Sequence, residues 1–185
     1  MIPAVEHLSK NNKSSRALLL SYWGFETGRR IGELEIALRI LQQVEALCLE
    51  LGDKDSLQRS YGNQALILRA WGRLEEAMAL HEKQEALCLE LGNKNDLQRT
   101  FGNQAVILQA RGRLKDAMAL HKKQEALCLE LGNEDNLQRC YGNQGWILRV
   151  WGRLEDAMAL LKKQEALCLE LGYKDGLRIR GCLKS

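Results

Sequence analysis

The phrase Glu-Ala-Leu-Cys-Leu-Glu-Leu-Gly occurs four times in 185 residues, with its cysteine at Cys48, Cys88, Cys128 and Cys168. Each copy lies 40 residues after the last. A second phrase, Gly-Arg-Leu followed two residues on by Ala-Met-Ala-Leu, begins at Gly72, Gly112 and Gly152, and a third, Gly-Asn-Gln, begins at Gly62, Gly102 and Gly142. Nothing interrupts the register, and about three quarters of positions match between the second and third copies. A period of this length means one array of supersecondary units, not several independent domains.

Within a copy the spacing is helical. Tyr61, Ala65 and Leu68, with Ile67 beside them, recur at three and four residues. A first helix is therefore predicted from about Leu57 to Trp71, capped by Asp55 or Ser56. Gly72 breaks it. Leu74, Ala77, Leu80, Leu87 and Leu91 then predict a second helix over about 74–91, closed by Gly92. A polar loop such as Asn93-Lys94-Asn95 joins one unit to the next, short enough to force antiparallel packing. One hairpin of this kind cannot bury its apolar side, whereas a stack can. The fold class expected is all-α, a right-handed superhelical solenoid of antiparallel helical hairpins. Its repeats span 15–54, 55–94, 95–134 and 135–174. An N-terminal extension, 1–14, precedes them, and a truncated fifth start or tail, 177–185, follows the solenoid of 15–176.

This pattern resembles the tetratricopeptide repeat, in the longer form of kinesin light chain and of bacterial scaffold and sensor proteins. The aromatic of that family falls at Tyr61, Phe101 and Tyr141, and the small residue of the first helix at Ala65, Ala105 and Gly145. The turn glycine is Gly32, Gly72, Gly112 and Gly152; the small residue opening the second helix is Ala37, Ala77, Ala117 and Ala157. Gln64, Gln104 and Gln144 stand where the family often has leucine, and Gln84, Gln124 and Gln164 where it has a small residue. Two accounts of these glutamines stand open: a stack that satisfies their amides, and a partly wet helix interface. The divergent Ser21–Glu26 stretch fits an atypical N-terminal cap.

The resemblance implies that the first helices line a concave groove. Helical spacing then selects a stripe on each: Arg59, Asn63, Leu66, Arg69 and Arg73; Arg99, Asn103, Val106, Gln109 and Arg113; Arg139, Asn143, Trp146, Arg149 and Arg153. The asparagines resemble those with which tetratricopeptide grooves hold a bound peptide. An amide offers one donor and one acceptor to an extended backbone, and flanking arginines suit carboxylates. In the second copy the outer helix is acidic, with Glu75, Glu76, Glu82, Glu85 and Glu90 against Lys83. The partner expected is a protein or peptide of acidic character. Recurrence of asparagine in near-duplicate copies also fits a purely structural role, and both readings stay open here. Self-association through the repeat ends, giving a homo-oligomer, is the rival reading.

The remaining chemistry is sparse. Six cysteines include no C-x-x-C or C-x-x-H pair. Repeat-equivalent cysteines sit two helices apart, beyond the roughly 7 Å Cα reach of a disulfide, so they read as reduced packing residues. His81 and His121 share a position that is Leu41 and Leu161 elsewhere, which reads as semi-buried packing. Trp71 and Trp151 match Arg111, a position at a helix edge. No phosphate loop, nucleophile elbow or zinc motif is present, so no catalytic residue, metal or cofactor is expected. Net charge is only +3, and the groove lacks a regular stacking series, which argues against nucleic acid. The longest aliphatic run, Ala17-Leu18-Leu19-Leu20, is far below the roughly 20 residues of a membrane span. The start resembles no signal peptide, and a cytoplasmic location is expected.

Overall fold

A computed structural model describes residues 34–172. The predicted extension 1–14, most of the first half of repeat 15–54 (with Ser21–Glu26 and Gly32), and the tail 177–185 lie outside the described residues. So do His7 and Cys182. The chain divides into two compact units, Met1–Asn93 and Lys94–Ser185. The described part of the first unit holds α1 (Leu34–Leu51), α2 (Lys54–Ala70) and α3 (Leu74–Leu91). The second holds α4 (Lys94–Ala110), α5 (Leu114–Leu131), α6 (Glu134–Val150) and α7 (Leu154–Glu170). Consecutive helices pack within each unit: α1 on α2 and α2 on α3; α4 on α5, α5 on α6 and α6 on α7. No strand occurs among the described residues.

The turn inside each hairpin is set by one backbone conformation. Gly72 adopts φ 75°, in the left-handed region where a side chain is strained. The amide of Arg73 then reaches back to donate to Leu68 O at 2.9 Å, and that of Gly72 donates to Arg69 O at 2.9 Å, which closes α2. Arg73 opens α3 without a side-chain cap. Its guanidinium instead pairs with Glu76 one turn in, an acid placed where the helix N-terminus favours negative charge.

Two boundaries differ from the sequence reading. Helix α2 starts at Lys54, not Leu57, because Asp53 is the N-cap and accepts from Ser56 N at 3.0 Å. Asp55, a candidate cap by sequence, instead pairs with Arg59. The connection after Gly92 is correspondingly shorter than the predicted polar loop, since Lys94 is already helical.

Most of the predicted apolar positions form the core, while Leu91, at the end of α3, is exposed. Ile40, Val44 and Cys48 of α1 meet Leu57 and Tyr61 of α2, with Leu80 and Leu87 of α3 packed against them. In the second unit Cys128 of α5 meets Leu137 and Tyr141 of α6, flanked by Leu160 and Leu167 of α7. Ala65, Ala77, Ala105 and Ala117 are fully enclosed. Each large aliphatic side chain so buried contributes about 1.5–3 kcal/mol. Short side chains at the crossings let the helices come close enough to realise it.

Candidate functional site

The stripe predicted on the first helices is outward-facing. On α2, Arg59 and Leu66 are exposed while Asn63 and Arg69 are half-buried. On α4, Arg99 is exposed and Asn103, Val106 and Gln109 are half-buried; on α6, Arg139, Trp146 and Arg149 are exposed around half-buried Asn143. The intervening positions, such as Leu97, Phe101, Ala105 and Leu108, point into the hairpin and are buried. Helical period alone produces this division.

The arginines and asparagines differ in how the chain engages them. Arg59 pairs with Asp55 at 2.6 Å, and Arg99 lies 3.5 Å from Asp96. At the turns Arg73, Arg113 and Arg153 clip Glu76, Asp116 and Asp156 at 2.5–2.7 Å. The clip holds the Glu76 carboxyl below its usual range. These pairs are local and exposed to solvent screening, so an incoming carboxylate can compete for the guanidinium. They also make the face less positive than a tally of arginines suggests. The side-chain amides of Asn63, Asn103 and Asn143 make no hydrogen bond to any described residue.

The outer helices are not uniformly acidic. Against the glutamates of α3, helix α5 sets Lys115, Lys122 and Lys123 beside Asp116, Glu125 and Glu130.

Beneath the stripe lies a polar layer that the sequence reading did not foresee as a whole. Gln58, Gln98 and Gln138 are buried, as are His81 and His121, which are fully enclosed and not semi-buried as expected. His81 Nδ1 lies 2.9 Å from Gln84 Oε1, Gln84 Nε2 donates to Gln58 Oε1 at 3.4 Å, and the Cys88 thiol donates to the same oxygen at 3.4 Å. An oxygen acceptor at Gln84 fixes the proton on His81 Nδ1. The second unit repeats the arrangement, with His121 Nδ1 at 3.0 Å from Gln124 Oε1 and Cys128 Sγ at 3.3 Å from Gln98 Oε1. His81 Nε2, His121 Nε2 and Gln98 Nε2 have no partner among the described residues. Burial accordingly pushes the His81 imidazole down to about 4 and lowers His121 too.

The amides of Gln84 and Gln124 lie where a side chain would otherwise sit. A Cβ on Gly62 would meet Gln84 Nε2 at 2.6 Å, and one on Gly102 would meet Gln124 Nε2 at 2.7 Å. The glycine of Gly-Asn-Gln is therefore the counterpart of the glutamine 22 positions on. The last glutamine of that phrase does a separate job across the joint between hairpins. Gln64 Nε2 donates to Glu45 Oε2 at 2.7 Å, and Gln144 Nε2 to Glu125 Oε2 at 2.8 Å. The recurring Gly–Gln pairing was visible in the sequence, but its cause was not, because contact across the hairpin has no local signature.

Cys48, Cys88, Cys128, Cys140 and Cys168 are free and buried. Burial pushes Cys128 up to about 11 and Cys140 up to about 12, so both stay thiols near neutrality. No group of three metal-ligating side chains occurs among the described residues. An open cleft of about 410 Å³ lies between Gly112–Asp116 and Trp151, and none of the stripe asparagines lines it. No described helix is long and apolar enough to cross a membrane.

No protein-family model matches the sequence, and no curated protein does. Solved structures match in shape. BtubC (BKLC) from P. vanneervenii superposes with a TM-score of 0.80 at 15% identity, over 91% of this chain and 69% of that one. Aspartyl phosphate phosphatase F from Bacillus subtilis gives 0.83 at 16% identity, over 91% of this chain but only 44% of the phosphatase. A putative kinesin light chain from Podosopora anserina with nearly identical TPR-like repeats gives 0.69 at 19% identity, over 84% of this chain and 76% of that one. At such identities the likeness speaks for architecture alone. The fold is that of the tetratricopeptide-type helical repeat.

Proposed function

We propose that this chain is a non-enzymatic protein-interaction scaffold that takes an acidic peptide segment along the outward stripe of its first helices. Asn63, Asn103 and Asn143 hold the segment's backbone. Arg59, Arg69, Arg99, Arg139 and Arg149 take its carboxylates, and Leu66, Val106, Gln109 and Trp146 read its other side chains. The observation that carries this reading is the state of the asparagines: half-buried amides at equivalent places in three helices, with no hydrogen bond to any described residue. An amide in this state keeps both its donor and its acceptor available to an extended backbone. Likeness in fold to other tetratricopeptide-type repeats supports the coarser part of the reading, that the partner is a protein.

The test uses an array of extended twelve-residue peptides of graded Asp and Glu content. The tightest binder is then titrated into the wild-type chain and into Asn103→Ala with Arg99→Ala. Loss of at least tenfold in affinity, about 1.4 kcal/mol, is expected. Unchanged binding removes this face from consideration.

A second reading, association between copies through the repeat ends, has its own support. Leu154 is 59% exposed and Met158 37%, where the equivalent Met118 is only 8% exposed. Light scattering across concentration tests it, and a strict monomer at every concentration counts against it.

A further inference from the structure

Helices α3 and α5 are identical in sequence except at positions 75/115, 76/116 and 82/122. Glu76 and Asp116 keep their sign. The other two changes, Glu75 to Lys115 and Glu82 to Lys122, reverse it. Both reversed positions lie on the outward side of their helix, in a line of exposed residues spaced alternately by four and three. That spacing is the seam one helix offers to another. Along it α3 presents Glu82, Ala86 and Leu89, and α5 presents Lys122, Ala126 and Leu129. Leu89 is 59% exposed and Leu129 58%. Neither Glu82 nor Lys122 has an ion-pair partner among the described residues, while Glu75 already has a partner in the chain. The central position therefore carries the argument.

We infer that the outward face of α3 in one copy docks, in parallel register, on the outward face of α5 in a second copy. Glu82 then meets Lys122, Leu89 meets Leu129, and the alanines between them let the two helix axes approach. Lys162 of α7 is the competing cation, but α7 sets Glu155 where α5 sets Lys115, so α5 is the more positive of the two faces toward Glu82. Among the described helices that share this repeat position, α5 alone carries a cation at both places. The peptide-binding stripe lies on other helices, so this contact stands or falls independently of the function proposed above. A contact between single helices lies well below the roughly 1,200 Å² of a stable interface. The association is accordingly weak and salt-sensitive, since exposed charges are screened over about 3 Å at 1 M ionic strength.

Sedimentation of the full chain from micromolar to millimolar concentration, at 50 mM and 1 M NaCl, tests the inference. Concentration-dependent association is expected at low salt and should weaken severalfold at high salt. Glu82→Lys alone and Lys122→Glu alone should each weaken it at least fivefold. An equimolar mixture of the two variants should regain it, because position 82 of one copy and position 122 of the other again carry opposite charges. Lys162→Glu should leave it unchanged. Both sites are exposed, and matching helical circular dichroism confirms that each variant is folded. A monomer throughout overturns the inference. So does association that ignores both charge reversals, a mixture that fails to recover, or a loss with Lys162→Glu equal to that with Lys122→Glu.

Discussion

At the scale of single residues, the most informative positions are those where one side chain exists because another is missing. Gln124 crosses the space that a Cβ on residue 102 would fill, and its oxygen is engaged by His121. Gly102→Ala should therefore displace a buried, hydrogen-bonded amide and lower stability by about 1–3 kcal/mol. Combined with Gln124→Ala, the loss should be less than additive by about 1 kcal/mol, as a urea double-mutant cycle would show. Additive losses would mean that the glycine serves something else. The fourth copy illustrates the same logic with different residues. Leu161 replaces histidine, and a Cβ on Gly145 would lie 3.3 Å from it, so glycine stands there where Ala65 and Ala105 stand in the other copies. Which residues recur was legible from the sequence; which of them touch was not. His81 read as semi-buried because a leucine replaces it elsewhere; its three-residue spacing from Gln84 was legible, but the burial of the pair was not.

At the scale of the helix, type and C-terminal end were legible, because Gly72 and Gly92 announce where the period stops. The start of α2 was not. Asp53, Asp55 and Ser56 lie within one polar stretch and all suit a cap, and only the folded geometry selects Asp53. Hydrogen bonds from Ser56 hold the Asp53 carboxyl below its ordinary range. Asp53→Ala should cost about 1 kcal/mol in thermal unfolding near pH 7. The lowered carboxyl contributes stability above its unfolded value of 3.8 and loses it as acid protonates the folded form. The difference between wild type and Asp53→Ala should thus narrow below about pH 4. A cap worth nothing at neutrality, or equally valuable in strong acid, would contradict this account. On the faces the charge is less one-sided than expected. Arg59 and Arg99 are exposed, but each has an acidic neighbour on its own helix, and α5 does not share the acidity of α3.

At the scale of the whole chain, the hairpins are alike in plan but unequal in their response to acid. The hairpins α2–α3 and α4–α5 each enclose a histidine, and α6–α7 carries Leu161 in its place. Desolvation chiefly, and Arg69 in smaller measure, hold His81 at about 4 against an ordinary 6.5, while its bond to Gln84 acts the other way. The unfolded chain therefore takes up the proton first, and stability falls as pH drops from about 6.5 toward about 4. At about pH 5 the His81 contribution alone is on the order of 2 kcal/mol. Melts at about pH 7 and about pH 5 should show a clear drop for the wild type. The drop should be smaller for His81→Leu with His121→Leu, a pair of changes that copies the fourth repeat. Equal drops would acquit the histidines. The all-α array was legible at this scale because duplication writes the period directly into the chain, whereas the buried amides that join its parts had no such signature. Those joints carry one further consequence. Ser60 Oγ and Cys140 Sγ each donate at 3.0 Å to the carbonyl at the same place in the preceding hairpin, Leu41 and His121, while Gln64 and Gln144 grip Glu45 and Glu125. Within each unit, then, a hairpin exchanged at this joint would meet the same backbone acceptor and the same carboxylate as the one it replaced.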